Sequence, residues 1–510
     1  MIGKRTSQGI SRRGAGNIQR GRRGFLGMMG GTGATLLAAA CGGSNNKSSG
    51  AATTVATRAA ATTAASPASL AGTAASTSTS APAAARTTPT APIASNQTVT
   101  YIGADTAPEQ QAWHKKFVAD FQAAFPQYRA EGSEYAGGTD FYPKLQTALA
   151  TNSPLDLLWH DTAGLDVIEY WDKGLLAPVT DVMEDLYKTV GGKDKFDPTA
   201  LARYTTSSGE VIGVPFLAVP FVWWFRTDLL QEAGLTPPAG HWDWNFLLNA
   251  VKAVHKPPQM YGVGVPLGHT NAVQYVLNSF ILSNGGHFLS QDLKDVVFDS
   301  PEVREALDMV KELAQYTPPG ATNWGSPETI DAIVRGTVAM AGYQGRVFGN
   351  MYSQNPAIIG KYSNTILPYN KQPISYGGYS AHGLFKTKNL QAAKELAKFS
   401  LRKEQVLSFM SVTPGFQSPS IPAYPTDPSY SENPVLKAFD PKLLATIAEA
   451  GKYSSDLGKE GTGWKINSRS STLWNSLFLA DVVQKVVVGK ESTQSAVTFG
   501  VGQIRDVMKG

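Results

Sequence analysis

Hydrophobic positions alternate between two periods from about residue 98 onward. Thr98-Val99-Thr100-Tyr101-Ile102 is apolar and β-branched, which predicts a strand. Trp113, Phe117, Val118, Phe121 and Phe125 then fall on one face of a helix, and Pro126 closes it. Tyr128 to Tyr135 predicts a second strand, and Phe141 to Thr151 a second helix with Leu145 and Leu149 inward. Leu155 to Trp159 predicts a third strand, and Leu165 to Trp171 a third helix. Strands that alternate with helices imply an α/β fold with a parallel sheet and right-handed crossovers. Ligands of such sheets bind outside the carboxyl ends of the strands. That directs attention to the loops at Gly103–Asp105, Tyr135–Gly138 and His160–Thr162.

The pattern is absent earlier in the chain. Ala, Thr, Ser and Pro fill 39 of the 46 positions from 51 to 96. Such a stretch has almost no large apolar side chains to bury and is expected to stay disordered. As a flexible coil it would reach roughly 40 Å. Charge divides at the same place. The chain has 45 Lys+Arg against 40 Asp+Glu, and ten of the basic residues but no acidic one precede residue 97. The remainder therefore carries 35 basic and 40 acidic residues. The basic excess belongs to the leader, and nucleic-acid binding by the globular part loses its electrostatic support.

Residues 1–40 have the grammar of an export signal. A basic stretch ends in Arg22-Arg23-Gly24-Phe25-Leu26, followed by a Gly-rich apolar run to Ala40. The paired arginines resemble a twin-arginine signal, and the run is too short for a membrane span. Leu37-Ala38-Ala39-Ala40-Cys41 resembles a lipobox, with Leu37 one place further from the cysteine than usual. Cys41 is the chain's one cysteine, which suits lipidation there and excludes an intrachain disulfide. Ala38-Ala39-Ala40 also satisfies ordinary signal-peptidase cleavage.

Several segments of the globular part carry a family resemblance. Gly138 to Ala150 with Pro154 to Trp159 reads as a helix followed by a buried strand. Gly209 to Pro215, Trp223 to Leu230 and Ala233-Gly234-Leu235 follow, with Arg226 where the family usually has Asn. Pro237-Pro238, Trp242-Asp243, Asn284-Gly285-Gly286, Gly336 to Met340, Gly377-Gly378-Tyr379 to Phe385 and Ala392 to Phe399 complete the order. In that order the chain resembles the extracellular solute-binding proteins of ABC importers, in the sugar-binding family that includes maltose-binding proteins.

The resemblance implies a two-lobed periplasmic-binding-protein fold. Each lobe would be a mostly parallel sheet flanked by helices, with a ligand cleft between them. Residues 1–40 would be the signal peptide and 41–96 the lipidated cysteine and tether. Lobe one would comprise 97–219 and 380–425, and lobe two 220–379 and 426–510, with crossings near Val219–Phe221 and Ser375–Tyr379. A carbohydrate ligand, ABC permease subunits and a membrane anchor at Cys41 would be the partners of an exported, monomeric receptor on the outer face of the cell membrane.

A sugar offers hydroxyls and apolar ring faces, so its cleft needs aromatic platforms and polar partners. The candidates are Tyr135 and Asp161 at strand ends, Trp223 and Trp224 after the first crossing, and Tyr343, Gln344 and Arg346 after the Gly336–Met340 segment. Trp324, Tyr379 at the second crossing, and Trp474 complete the set. Trp223 and Trp224 would point to opposite faces of an extended segment, so at most one faces ligand. Asp161 could equally cap a helix.

Enzyme motifs are missing from the sequence. Gly378-Tyr379-Ser380-Ala381-His382 lacks the final Gly of a nucleophile elbow, and Gly262 to Gly268 misses the dinucleotide fingerprint. Seven scattered histidines show no metal spacing, and no cofactor or metal is expected. The alternatives to a solute receptor are an extracytoplasmic carbohydrate-active hydrolase and a surface solute sensor without transport.

Overall fold

A computed structural model of the chain describes residues 97–105, 107–134, 141–159, 165–460 and 465–509. The expected signal, Cys41 and the tether lie outside the described residues.

The first sheet grows from β1 (Gln97–Gly103) and β2 (Tyr128–Glu134), which run parallel in register from Gln97 opposite Tyr128 to Gly103 opposite Glu134. The helix α1 (Pro108–Ala124) connects them and buries Gln110, Trp113, His114, Phe117 and Phe121 along one side. Its start is set by Pro108, whose missing N–H would lack an intrahelical partner anyway. On the other edge of β1 lies β3 (Leu157–Leu158), also parallel. Pairing continues past its ends, since Asp156 N donates to Thr100 O (2.9 Å) and Trp159 N to Ile102 O (2.8 Å). The helix α2 (Phe141–Ala150) precedes β3 and α3 (Asp166–Asp172) follows it. The strand and helix pattern of the sequence is thus present up to residue 172.

Beyond β3 the direction changes. The strands β4 (Val214–Ala218), β5 (Phe221–Arg226), β6 (Met340–Gln344), β7 (Tyr362–Ile366), β8 (Ser375–Tyr376), β9 (Tyr379–Leu384), β10 (Ser418–Pro419) and β11 (Ser454–Ser455) follow in the chain. The first sheet has the order β10-β4-β9-β3-β1-β2, with β9 antiparallel to both β3 and β4. The second sheet, β6-β5-β7, is antiparallel at both pairings. Parallel pairing there is limited to the segment at Tyr261–Gly264, where Tyr261 bridges Val338 and Gly264 N donates to Met340 O (2.8 Å). A mostly parallel second sheet is therefore not what forms. The strand entering from the first sheet takes the centre, and both neighbours run back along it.

Two cores separate around these sheets. The first packs both faces of the first sheet: Trp113, Phe117, Trp159, Phe216 and Phe409 on one side, and Phe141, Tyr170, Tyr204 and Phe385 on the other. The second gathers Trp223, Trp224, Trp242, Phe280, Phe298 and Phe478. Near the C-terminal third, Leu436 packs in the first core and Phe439 in the second.

The chain passes between the bodies at Val219–Pro220 and returns at Gly377–Gly378. These passages are bound side by side. Phe221 N donates to Ser375 Oγ (2.9 Å), and Ser375 Oγ donates to Phe221 O (3.0 Å). Gly377 has φ +117°, and a Cβ there would stand 2.4 Å from Val219 O. Only glycine fits both the backbone and the approach. Beside it, Arg203 of the first body pairs with buried Asp456 at 2.9 Å.

Two outcomes test this packing. Trp159 touches the rings of Tyr101, Phe117, Phe216 and His382 and is fully buried. Trp159→Ala is expected to destabilise the first body by about 3–5 kcal/mol in urea unfolding followed by near-UV circular dichroism. A loss below about 1 kcal/mol would contradict the core assignment. Gly377→Ala is expected to cost more than about 1–3 kcal/mol of strain. Gly349→Ala, where an added Cβ meets nothing within 4 Å, should leave stability nearly unchanged.

Candidate ligand-binding cleft

The carboxyl ends of β1, β2 and β3 deliver Asp105, Glu134 and Trp159 to one edge of the first sheet. Asp105 N donates to Glu134 Oε2 (2.8 Å), and Gln110 Nε2 and Trp159 Nε1 donate to the two Asp105 carboxylate oxygens (2.8 and 3.2 Å). Because α1 begins at Pro108, Gln110 sits in its first turn, directly over that strand end.

Arg346 reaches this edge from the second body. It follows β6 and precedes the helix Val347–Gln354. Its Nη2 donates to Gln110 Oε1 (3.3 Å), and its guanidinium lies 4.8 Å from the Phe416 ring centre. Its buried Nε has no hydrogen-bond partner among the described residues. A groove of ≈ 770 Å³ runs past it, lined by Glu109, Gly349, Asn350, Thr413 and Pro414 among others.

A strip of five rings continues along the side where the chain crosses. Phe221 lies 5.9 Å from Tyr343 and 5.8 Å from Tyr275. Tyr275 lies 4.9 Å from Tyr376 and 5.2 Å from Trp474, and Trp474 stacks on Tyr376 at 4.9 Å and 15°. Tyr275 is half-buried and the others are buried. Burial raises the pKa of Tyr275 and Tyr376 well above the ordinary phenol range, so both hydroxyls stay protonated as donors.

This strip is short of partners. Tyr376 Oη, Trp474 Nε1, Gln274 Oε1, Ser470 Oγ and both amide atoms of Asn278 are buried without a hydrogen bond among the described residues. Gln274 and Asn278 are one turn apart on the helix Asn271–Ser283, and Ser470 and Trp474 one turn apart on the helix Ser470–Asn475. Gln274 Nε2 donates to Trp474 O (2.8 Å) and ties the two helices together. The second helix is also fixed to the first body. Ser471 Oγ donates to Asp166, and Thr472 donates to Glu169 from both its N (2.8 Å) and its Oγ1 (2.7 Å). A buried polar atom without a partner costs about 1–3 kcal/mol. A cluster of them beside aromatic faces is the signature of a site completed by water or ligand.

The residues singled out from sequence distribute unevenly. Trp474 and Tyr343 belong to the strip, and Arg346 bridges the two bodies. Gln344 ends β6, paired with Phe221. Trp223 and Trp224 lie outside the strip, although Trp223 Nε1 is also buried without a hydrogen-bond partner among the described residues. They are at most 1% exposed, on the central strand of a sheet covered on both sides. Trp223 packs edge-on to Phe280, while Trp224 donates to Tyr343 O (3.1 Å) and packs on Phe348. Trp324 is half-buried against the second core and backs onto Gly264. Tyr379 turns into the first core. The ring at that crossing which joins the strip is Tyr376. Tyr135 and Asp161 lie outside the described residues.

Tyr275, Tyr376, Gln274 and Asn278 were missed. Their available signal was polarity inside a buried helix: Gln274, Asn278, Ser279 and Ser283 interrupt an otherwise apolar run. Asp105 was indicated by its place at a strand end.

The profile of the bacterial extracellular solute-binding protein family matches residues 103–406. The putative ABC transporter periplasmic-binding protein YcjN of Escherichia coli (strain K12) is 24% identical over 356 residues, which are 65% of this chain and 79% of that protein. Among solved structures, a solute-binding protein from Thermotoga lettingae bound with α-D-tagatose is similar with a TM-score of 0.65 at 21% identity, covering 81% of this chain and 99% of that one. A sugar transporter from Arthrobacter chlorophenolicus with bound laminaribiose is similar with a TM-score of 0.68 at 18% identity, with the same coverage. Maltose-bound MalE3 of T. maritima has a TM-score of 0.66 at 18% identity, over 80% of this chain and 99% of that one. These likenesses give the two-lobed fold, and with the match over 103–406 the chain belongs to the bacterial extracellular solute-binding protein family.

Proposed function

We propose that this protein captures a carbohydrate between its two bodies and hands it to an ABC permease, without chemistry of its own. The observation that carries the reading is the aromatic strip Phe221–Tyr343–Tyr275–Tyr376–Trp474 with its unpartnered buried donors and acceptors. Ring faces suit the apolar faces of a sugar, and the orphan hydroxyl, indole and amide groups suit its hydroxyls. The sugars bound by the structurally similar proteins support the same class. Arg346, Gln110 and Asp105 would line the opposite end. Tyr135 and Asp161 stay in the proposed set through their strand-end positions. Trp223, Trp224, Trp324 and Tyr379 would support the walls from behind.

Closure would bend the paired passages at 219–220 and 377–378. Lobe one is read as 97–219 with 379 to about 437, and lobe two as the rest of residues 220–510, because Tyr379 pairs in the first sheet and Leu436 and Phe439 divide between the cores. A twin-arginine-like signal would export the chain, diacylglycerol on Cys41 would hold it at the outer face of the membrane, and residues 42–96 would serve as tether.

Screening mono- and oligosaccharides by thermal shift and calorimetry tests the substrate class. At least one sugar is expected to stabilise the protein. Stabilisation by a peptide or amine and by no sugar would contradict the reading. Tyr376→Phe separates binding from folding. The hydroxyl has no partner among the described residues, so its removal should leave the ligand-free melting temperature unchanged or higher. The same change should weaken the stabilising sugar by about tenfold. Unchanged affinity would remove Tyr376 from the site. Cys41→Ser is expected to move the protein from the membrane fraction to the soluble fraction, and retention on membranes would contradict the anchor.

A further inference from the structure

Three side chains at the cleft end of the first sheet converge from separate elements. Asp105 follows β1, His114 lies in α1, and Glu134 ends β2. His114 Nε2 is 3.2 Å from Asp105 Oδ2 and 3.4 Å from Glu134 Oε1. The three ligand atoms all lie within 4.8 Å of one another. Their sequence spacing resembles no metal motif, because it is the parallel pairing of β1 with β2 and the packing of α1 that unite them.

The surroundings fix each group except one atom. Tyr101 Oη sits 3.1 Å from His114 Nδ1, which holds the imidazole with Nε2 toward the carboxylates. Gln110 and Trp159 donate to Asp105, and Asp105 N donates to Glu134 Oε2. Among the described residues Glu134 Oε1 has no hydrogen-bond partner, although its side chain is only 3% exposed. It points at His114 and is the free acceptor of the cluster. A divalent ion would compensate the buried Glu134 carboxylate.

Bond lengths select the ion. A tetrahedral zinc with bonds of about 2.0–2.1 Å sets its ligand atoms about 3.3 Å apart. Two of the three separations, 3.2 and 3.4 Å, lie near that edge, the shorter being also a hydrogen-bond distance between His114 and Asp105. Magnesium and calcium prefer all-oxygen shells, and an imidazole nitrogen disfavours both. The tyrosine behind His114 is the outer partner that metal-bound imidazoles usually have.

We propose that Asp105, His114 and Glu134 bind one zinc ion, with water in the fourth position. The ion joins the ends of β1 and β2 to α1 and stiffens the wall that Gln110 presents to Arg346. The site shares Asp105 with the wall of the proposed cleft, and its test needs no sugar.

The test uses the full chain, stripped with chelator and dialysed. Calorimetry with zinc chloride is expected to give one ion per chain with a Kd of about 1 μM or tighter. Cobalt(II) should show the intense visible bands of a tetrahedral site. Glu134→Gln and His114→Gln are each expected to weaken zinc more than about tenfold. His269→Ala, a change at an exposed histidine paired with Asp481, should not. The proposal is overturned if no zinc binds near one equivalent, or if binding survives in both cluster variants. Cobalt spectra of the unaltered chain without tetrahedral bands would overturn it equally, whatever the variants do.

Discussion

Two strands of chain cross between the bodies, and their mutual approach is the constraint on which the rest depends. Ser375 uses one hydroxyl to satisfy both the N–H and the carbonyl of Phe221. Gly377 then lets the returning strand lie against Val219 O. A bulkier residue would push the passages apart. With them clamped, each body can build its own core, and the surfaces facing each other across the crossings become walls. The strip of rings begins at the clamp itself, since Phe221 is both the clamped residue and its first member.

The C-terminal segment completes those walls at some energetic cost. The helix Ser470–Asn475 is held by Asp166 and Glu169 of the first body and by Gln274 of the second. It carries Trp474 into the strip with its indole N–H unpaired among the described residues. Burying Tyr376 Oη, Trp474 Nε1 and the Asn278 amide without partners opposes folding. In the proposed function a bound molecule would supply the missing bonds. The same reasoning covers Glu134 Oε1 at the other end of the cleft.

Much of the fold was legible in the sequence. Strand and helix periods located β1, α1, β2, α2 and α3, because each buries one face of its own against a single sheet. The direction of the second sheet was not legible. Trp223-Trp224-Phe225 reads as apolar throughout, which says that β5 is central but not which way its neighbours run. The same ambiguity attends Trp223 and Trp224, which pack in the second core: a site aromatic and a core aromatic look alike along the chain. Tyr376 and Tyr379 show how local the difference is. They stand three residues apart across the Gly377–Gly378 crossing, yet one joins the strip and the other turns into the first core. The Asp105–His114–Glu134 cluster depends wholly on tertiary pairing, so no linear spacing could announce it.

The central claim is that one carbohydrate engages both bodies at once. Hydrogen–deuterium exchange with and without a stabilising sugar tests it most directly. The account predicts slowed exchange on both walls, in peptides spanning 101–117 of the first body and in those spanning 271–283 and 341–350 of the second. Protection confined to one body, or to surfaces away from both walls, would contradict it.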